Sequence, residues 1–315
     1  MNARLGRPTR YQLERARSAS LWAVPVVIGG LGVAGLVRAV RRSRREEDNA
    51  AGARLAFDRT GRGEPIVLLH GHGLSRRSWD PVIAPLAAER DVIAVDLPGH
   101  GESPLQPRGR GWTPADQAAA VAQLLDQLGL DKVHVAGNSI GGWVALELAR
   151  LGRAVTVTVL SPGGLWGRWA PLQIRTTMRQ ARLNARIIRR LTPRAPRTRL
   201  TKALFMAQAT GHPFQVPEAV ARRSIHDLAD APGFAKALRA AERHGFRDGA
   251  DIDVPVTVAF GSRDRVIPPV IARRRKQLPA QTRWIRPSGW GHIPMFDRPE
   301  AVASFLLDSS RSSAA

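Results

Sequence analysis

The sequence predicts an α/β fold with a mostly parallel central sheet and helices on both faces. Two observations carry this. Five short runs dense in β-branched residues recur along the chain: 66–69 (IVLL), 92–95 (VIAV), 133–136 (VHVA), 155–160 (VTVTVL) and 256–260 (VTVAF). Continuous apolar runs of that length suit strands buried on both faces. Between them lie helix-like stretches, and such alternation argues for parallel strands joined by helical crossovers. With 315 residues, 43% of them hydrophobic, the chain can build a sizeable core, which excludes wholesale disorder.

Taken in order, residues 1–20 form a basic tail and residues 21–40 a transmembrane anchor. The uncharged run 21–37, LWAVPVVIGGLGVAGLV, would span roughly 25 Å as a helix, near the lower limit for crossing a bilayer. Trp22 suits the interface. Gly29, Gly30, Gly32 and Gly35 offer a small-residue face. A cleaved signal peptide is the weaker reading, because no small-x-small site follows the run; a buried core helix is the third. Arginines flank both sides, at 4, 7, 10, 15 and 17 and at 38, 41, 42, 44 and 45. The second cluster is denser and closer, which favours a cytoplasmic C-terminal domain. Residues 41–52 form a charged linker. The main domain comprises 53–163 and 251–315, interrupted by an insert over 164–250.

The net charge of +22 is uneven: +6 in 1–52, zero in 53–163, +12 in the insert and +4 beyond it. A nucleic-acid coat would be spread more evenly, so a membrane or an anionic substrate is the expected partner and nucleic acid is not. The absence of cysteine excludes a disulfide scaffold, a thiolate zinc site and a cysteine nucleophile. His212, His226 and His244 lack ligand spacing, so no metal and no cofactor is expected.

Active sites in such sheets sit at the carboxyl ends of the strands. There, after the run 133–136, stands Gly137-Asn138-Ser139-Ile140-Gly141-Gly142. This fits G-x-S-x-G between a strand and a helix, a sharp turn that lifts a serine hydroxyl above the sheet. A serine nucleophile needs a base and a group that orients the base, in the chain order serine, acid, histidine. Asp264 follows the strand run ending at 260, and His292 follows the next apparent strand, 282–286. Asp96 and His100 read as a structural turn, His134 as a satisfied strand histidine, and Asp297 as an N-cap for the last helix.

These motifs resemble the α/β-hydrolase fold superfamily, in its lid-bearing serine esterase, lipase and C–C hydrolase branch. The resemblance rests on His70-Gly71-His72-Gly73 with Trp79, on Asp96 to Ser103 (DLPGHGES), on the Ser139 turn, and on Asp264 with Gly291-His292. It implies Ser139 as nucleophile, His292 as base and Asp264 as orienting acid. It also implies an oxyanion hole from the backbone N–H groups of His72 and Ile140, with Gly73 as the alternative to His72. Haloalkane dehalogenases and epoxide hydrolases of this fold carry an aspartate at the turn, and such epoxide hydrolases also use lid tyrosines. Here the turn carries Ser139 and the sole tyrosine is Tyr11. Those activities are therefore not expected.

The insert falls where the resembled family places a helical lid. From 164 to 217 it holds 11 basic residues and no acid, and Arg175, Arg179, Arg182, Arg186 and Arg189 recur at helical spacing. A basic amphipathic helix suits an anionic membrane surface. The function expected is a membrane-anchored, single-pass serine hydrolase that cleaves a carboxylic ester of a small apolar or lipid substrate. The alternatives are C–C bond hydrolysis of a ring-cleavage product, which Asn138 also fits, and a non-enzymatic membrane scaffold.

Overall fold

The computed structural model describes residues 54–166, 170–191, 199–243, 245–270 and 274–311. The expected tail, anchor and linker lie outside these residues. Among the described residues no helix is long and apolar enough to cross a membrane.

Seven strands form one sheet: β1 (Phe57–Gly61), β2 (Pro65–Leu69), β3 (Asp91–Val95), β4 (Val133–Asn138), β5 (Ala154–Leu160), β6 (Val256–Ala259) and β7 (Arg283–Ile285), in the order β1-β3-β2-β4-β5-β6-β7. All neighbours pair in parallel except β1, which runs antiparallel to β3. Five of the six parallel strands stand where the apolar runs predict them, and β7 falls within the apparent strand 282–286. β1 was not expected, because FDRTG is a half-exposed edge with one large apolar residue. Its Arg59 side chain pairs with Asp91 at 2.6 Å.

The strands read as continuous apolar runs because both faces are covered. Val67, Leu69, Val135, Val157 and Val258 face one cluster with Val121, Leu125, Val144 and Leu148. Those partners come from α2 (Pro114–Gln127) and α3 (Ile140–Arg150). Ile66, Leu68, Ala136 and Leu160 face the opposite cluster with Leu86 and Leu306. These come from α1 (Asp80–Ala87) and α8 (Pro299–Arg311). Each such buried side chain contributes roughly 1.5–3 kcal/mol of transfer free energy. Thr113 caps α2: its hydroxyl accepts from Asp116 N–H at 3.2 Å and the Asp116 carboxylate accepts from Thr113 N–H at 2.8 Å. Pro114 stands at the first helical position, where its missing N–H costs little.

Between β5 and β6 lie four helices: α4 (Ala170–Leu191), α5 (Arg199–Met206), α6 (Glu218–Asp230) and α7 (Phe234–Glu242). The periodic arginines do fall on one helix, and four of them reach the neighbouring helices while staying partly exposed. Arg182 Nη2 donates to Ala231 O at 2.9 Å and Arg186 Nε to Ala229 O at 3.3 Å. Arg189 pairs with Asp230, and Arg175 stands 3.9 Å from Glu242. The end of α6 explains this orientation, since the last carbonyls of a helix lack internal partners and attract cations. The outward face of α4 instead shows Leu172, Leu183 and Ile187, all more than 40% exposed.

Asp297 is not spent on α8 as an N-cap. Its Oδ2 accepts from the N–H groups of Gly211 and His212 and so fastens the loop after α5 to the core. His134 is satisfied by Thr156 Oγ1 at 2.8 Å. Asp96 accepts from Arg76 N–H at 2.6 Å and Glu102 N–H at 2.9 Å, which fixes the turn that follows β3.

Candidate active site

The parallel register brings the carboxyl ends of β2, β4, β5 and β6 to one edge: Leu69 pairs with Gly137, Asn138 with Leu160, and Leu160 with Ala259. Ser139 stands there at the junction of β4 and α3, with φ 56° and ψ −118°. Positive φ is costly for a non-glycine residue and persists only where its surroundings hold it. Here Ser139 N–H donates to Leu160 O at 3.0 Å, and Ser139 O accepts from Gly163 N–H at 2.9 Å and Trp143 N–H at 3.2 Å. Two glycines let the turn close. A Cβ on Gly137 would overlap the Gly141 carbonyl, and one on Gly141 would overlap the Leu69 and His70 carbonyls.

Asp264 lies past β6 and is buried. Its Oδ1 accepts from Val266 N–H at 2.9 Å and Ile267 N–H at 2.8 Å. Its Oδ2 stands 2.9 Å from His292 Nδ1. A carboxylate on Nδ1 selects the Nδ1–H tautomer and leaves Nε2 as the basic nitrogen. Asn138 ties this pair to the turn: its Nδ2 donates to His292 O at 2.8 Å and to Leu160 O at 3.0 Å. The structure thus joins Asp264 to His292 and fastens His292 to the residue before Ser139. Among the described residues no hydrogen bond joins the Ser139 hydroxyl to the His292 ring.

Ser139 opens into a cavity of about 480 Å³, mouth included. His72 and Ile140 line it too. Ile140 begins α3, so its N–H has no intrahelical acceptor and carries the positive end of the helix dipole. The remaining walls come mainly from Trp166, Ile174, Met178, Leu238 and Ile267. Sequence reasoning missed these residues and Glu242. All but Ile267 belong to the insert, and no local pattern marks which helix face meets the Ser139 turn.

Burial lowers the His72 pKa to about 3, with Arg182 and His70 adding to the effect. Burial likewise lowers His70 and His100. His72 is therefore neutral and packs on Phe234 with ring centres 4.2 Å apart. His70 Nε2 accepts from Leu97 N–H at 2.9 Å, which makes this imidazole a strut beneath the loop.

Such an arrangement can carry out nucleophilic displacement with proton transfer beside an apolar cavity. The α/β-hydrolase match is direct: the alpha/beta hydrolase family description fits residues 66–305, and the chain belongs to that family. The chain is 35% identical over 196 residues to Epoxide hydrolase EphH of Mycobacterium tuberculosis, covering 59% of this chain and 91% of that relative. Its fold is similar to a thermophilic esterase from Thermogutta terrifontis, with TM-score 0.64, 26% identity, and coverage of 83% of this chain and 94% of that one. It is also similar to a meta-cleavage product hydrolase from Pseudomonas fluorescens, with TM-score 0.63, 18% identity, and coverage of 83% and 95%.

Proposed function

We propose that the protein is a membrane-anchored serine hydrolase that cleaves a carboxylic ester of an apolar or lipid substrate through an acyl-enzyme. The observation that carries this reading is Ser139, held at positive φ in an apolar cavity whose neighbouring loops present the Asp264–His292 pair. The likeness to an esterase at 26% identity supports it. In the first half-reaction His292 Nε2 takes the Ser139 proton while Oγ attacks the acyl carbonyl. The N–H groups of His72 and Ile140 receive the developing oxyanion. His292 then gives its proton to the leaving alcohol. Water, deprotonated by His292, attacks the acyl-enzyme and releases the acid, and the proton returns to Ser139. Asp264 keeps the imidazole in place and stabilises its cationic form.

The anchor proposal rests on the uncharged run 21–37. It is joined by the outer face of α4, where Leu172, Leu183 and Ile187 are exposed alongside Arg179 and Arg190. That face, apolar with exposed arginines beside it, suits an anionic bilayer. The helical insert would then act as a lid opening toward the membrane.

A second reading, epoxide hydrolysis, is favoured by the likeness to EphH. The two separate in one experiment: full-length enzyme in detergent is given p-nitrophenyl butyrate and styrene oxide. Ester turnover abolished by Ser139→Ala supports the first reading. Diol formation without ester turnover supports the second. Resistance of the full-length protein to carbonate extraction tests the anchor, and release by carbonate refutes it.

A further inference from the structure

The loop after β2 carries His72, and the insert closes on that loop. Residues 71–74 form a turn in which Leu74 N–H donates to Gly71 O at 3.1 Å. Ser75 follows at once and is buried. Its Oγ donates to Asp227 Oδ2, on α6, at 2.6 Å. On the same helix Arg223 pairs with Asp80, the first residue of α1. Residues four apart share a helix face, so one face of α6 holds both ends of the segment 75–80. The turn itself is clasped as well. A Cβ on Gly73 would fall 2.5 Å from Leu228 Cδ1 and 3.2 Å from the Phe234 ring, and the Phe234 ring also packs on His72.

The Asp227 contact is kept at a cost. Burial, with Asp96 and Asp80 adding to it, raises this carboxyl group to a pKa of about 6 against the pull of Ser75 and Arg223. Where a chain keeps an unfavourable group, function is a common reason. The Arg223–Asp80 pair is half-exposed on both sides and contributes little, which leaves the Ser75 bond as the firmer tie between α6 and the loop. No backbone carbonyl among the described residues accepts from His72 N–H, so the direction of that donor depends on how the turn is held.

We propose that Asp227 is a positioning residue: through Ser75 it fixes the 71–75 segment so that His72 N–H meets the oxyanion. The inference rests on the reading of His72 N–H as an oxyanion donor in an ester-hydrolysing site. The donor is then aimed only while α6 lies against the loop. Misplacement by about 1 Å can cost on the order of 100-fold in rate, and outright loss of one donor costs about 10²–10³-fold in kcat.

The test uses the full-length enzyme in detergent. It reads p-nitrophenyl butyrate turnover, the rate of Ser139 labelling by a fluorophosphonate, and Tm. Ser75→Ala and Asp227→Ala should each lower kcat about tenfold or more, leave KM within about twofold, and slow labelling in step. Asp227→Ala should do so with little loss of Tm, because it also removes the half-buried carboxylate. Asp227→Asn keeps an acceptor for Ser75 and should retain most of the wild-type kcat. The double variant Ser75→Ala/Asp227→Ala should be no slower than either single variant, since both break one bond. Asp227→Glu, which moves the acceptor by one methylene, supplies the same comparison where an alanine variant does not fold. A merely structural contact would lower Tm and leave kcat of the folded protein near wild type. That result, additive losses in the double variant, or Asp227→Asn as slow as Asp227→Ala would overturn the proposal. If the wild type is labelled at Ser139 but cleaves no ester, the ester reading fails and the labelling rates alone decide the positioning role. If the wild type does neither, the reading of the site falls and the positioning role falls with it.

Discussion

Replacing Asp264 by Asn tests the site through a change of one atom. The side chain is fully buried and its three contacts are all defined. Oδ1 accepts from two backbone N–H groups at 2.9 and 2.8 Å, so the amide NH₂ cannot take that position without facing two donors. The amide oxygen therefore stays on Val266 and Ile267, and the NH₂ faces His292 Nδ1. Nδ1 must then accept, and the ring proton moves to Nε2, where a base for Ser139 is needed. Shape is kept and the tautomer is wrong. In the serine-triad template that error costs roughly 10⁴-fold in kcat, or about 5.5 kcal/mol at 1.36 kcal/mol per tenfold. The charge-assisted bond to His292 is also lost, at roughly 1–2 kcal/mol of stability. The assay is p-nitrophenyl butyrate turnover, with Tm read on the same samples. A folded Asp264→Asn protein that keeps more than a tenth of wild-type kcat would refute the tautomer argument and the role given to Asp264.

Other outcomes follow from neighbouring contacts. Gly141→Ala places a methyl against the Leu69 and His70 carbonyls, and such overpacking costs about 1–3 kcal/mol; urea unfolding should show that loss, with kcat falling as the turn shifts. Arg182→Met removes the bond to Ala231 O and the guanidinium 4.4 Å above Phe234, and should cost about 1–2 kcal/mol in the same assay. Asp227 has its pKa raised to about 6, chiefly by burial, although Ser75 donates to it at 2.6 Å. The folded state then holds this proton more tightly than the unfolded state. Its contribution to stability is full below pH about 4 and is lost as pH rises through about 6. Asp227→Asn should flatten the fall in stability between pH 4.5 and 7 relative to wild type, and parallel curves for the two proteins would contradict the shift.

Five strands and the helices after β3 and β4 were legible because burial on both sheet faces writes itself as continuous apolar runs, whereas β7, a half-exposed edge, showed only as the short segment before the His292 loop. β1 was not, since an edge strand needs no such run. Ser139, Asp264 and His292 were legible because strand ends and glycine-rich turns mark their places. The insert was read less well. The spacing of Arg175 to Arg189 located a helix, but it carried no information on which neighbour that helix meets. The unpaired carbonyls at the end of α6 decide that. The cavity walls were hidden for the same reason, as Met178, Leu238 and Glu242 approach Ser139 only through tertiary packing.

The central claim is that Ser139 is the nucleophile. Its most direct measurement is covalent labelling of the full-length protein with a fluorophosphonate, read by intact mass and peptide mapping. A single adduct on Ser139, absent from Ser139→Ala and slowed by Asp264→Asn, is the predicted result. An adduct on another residue, or ester turnover that survives in Ser139→Ala, would contradict it.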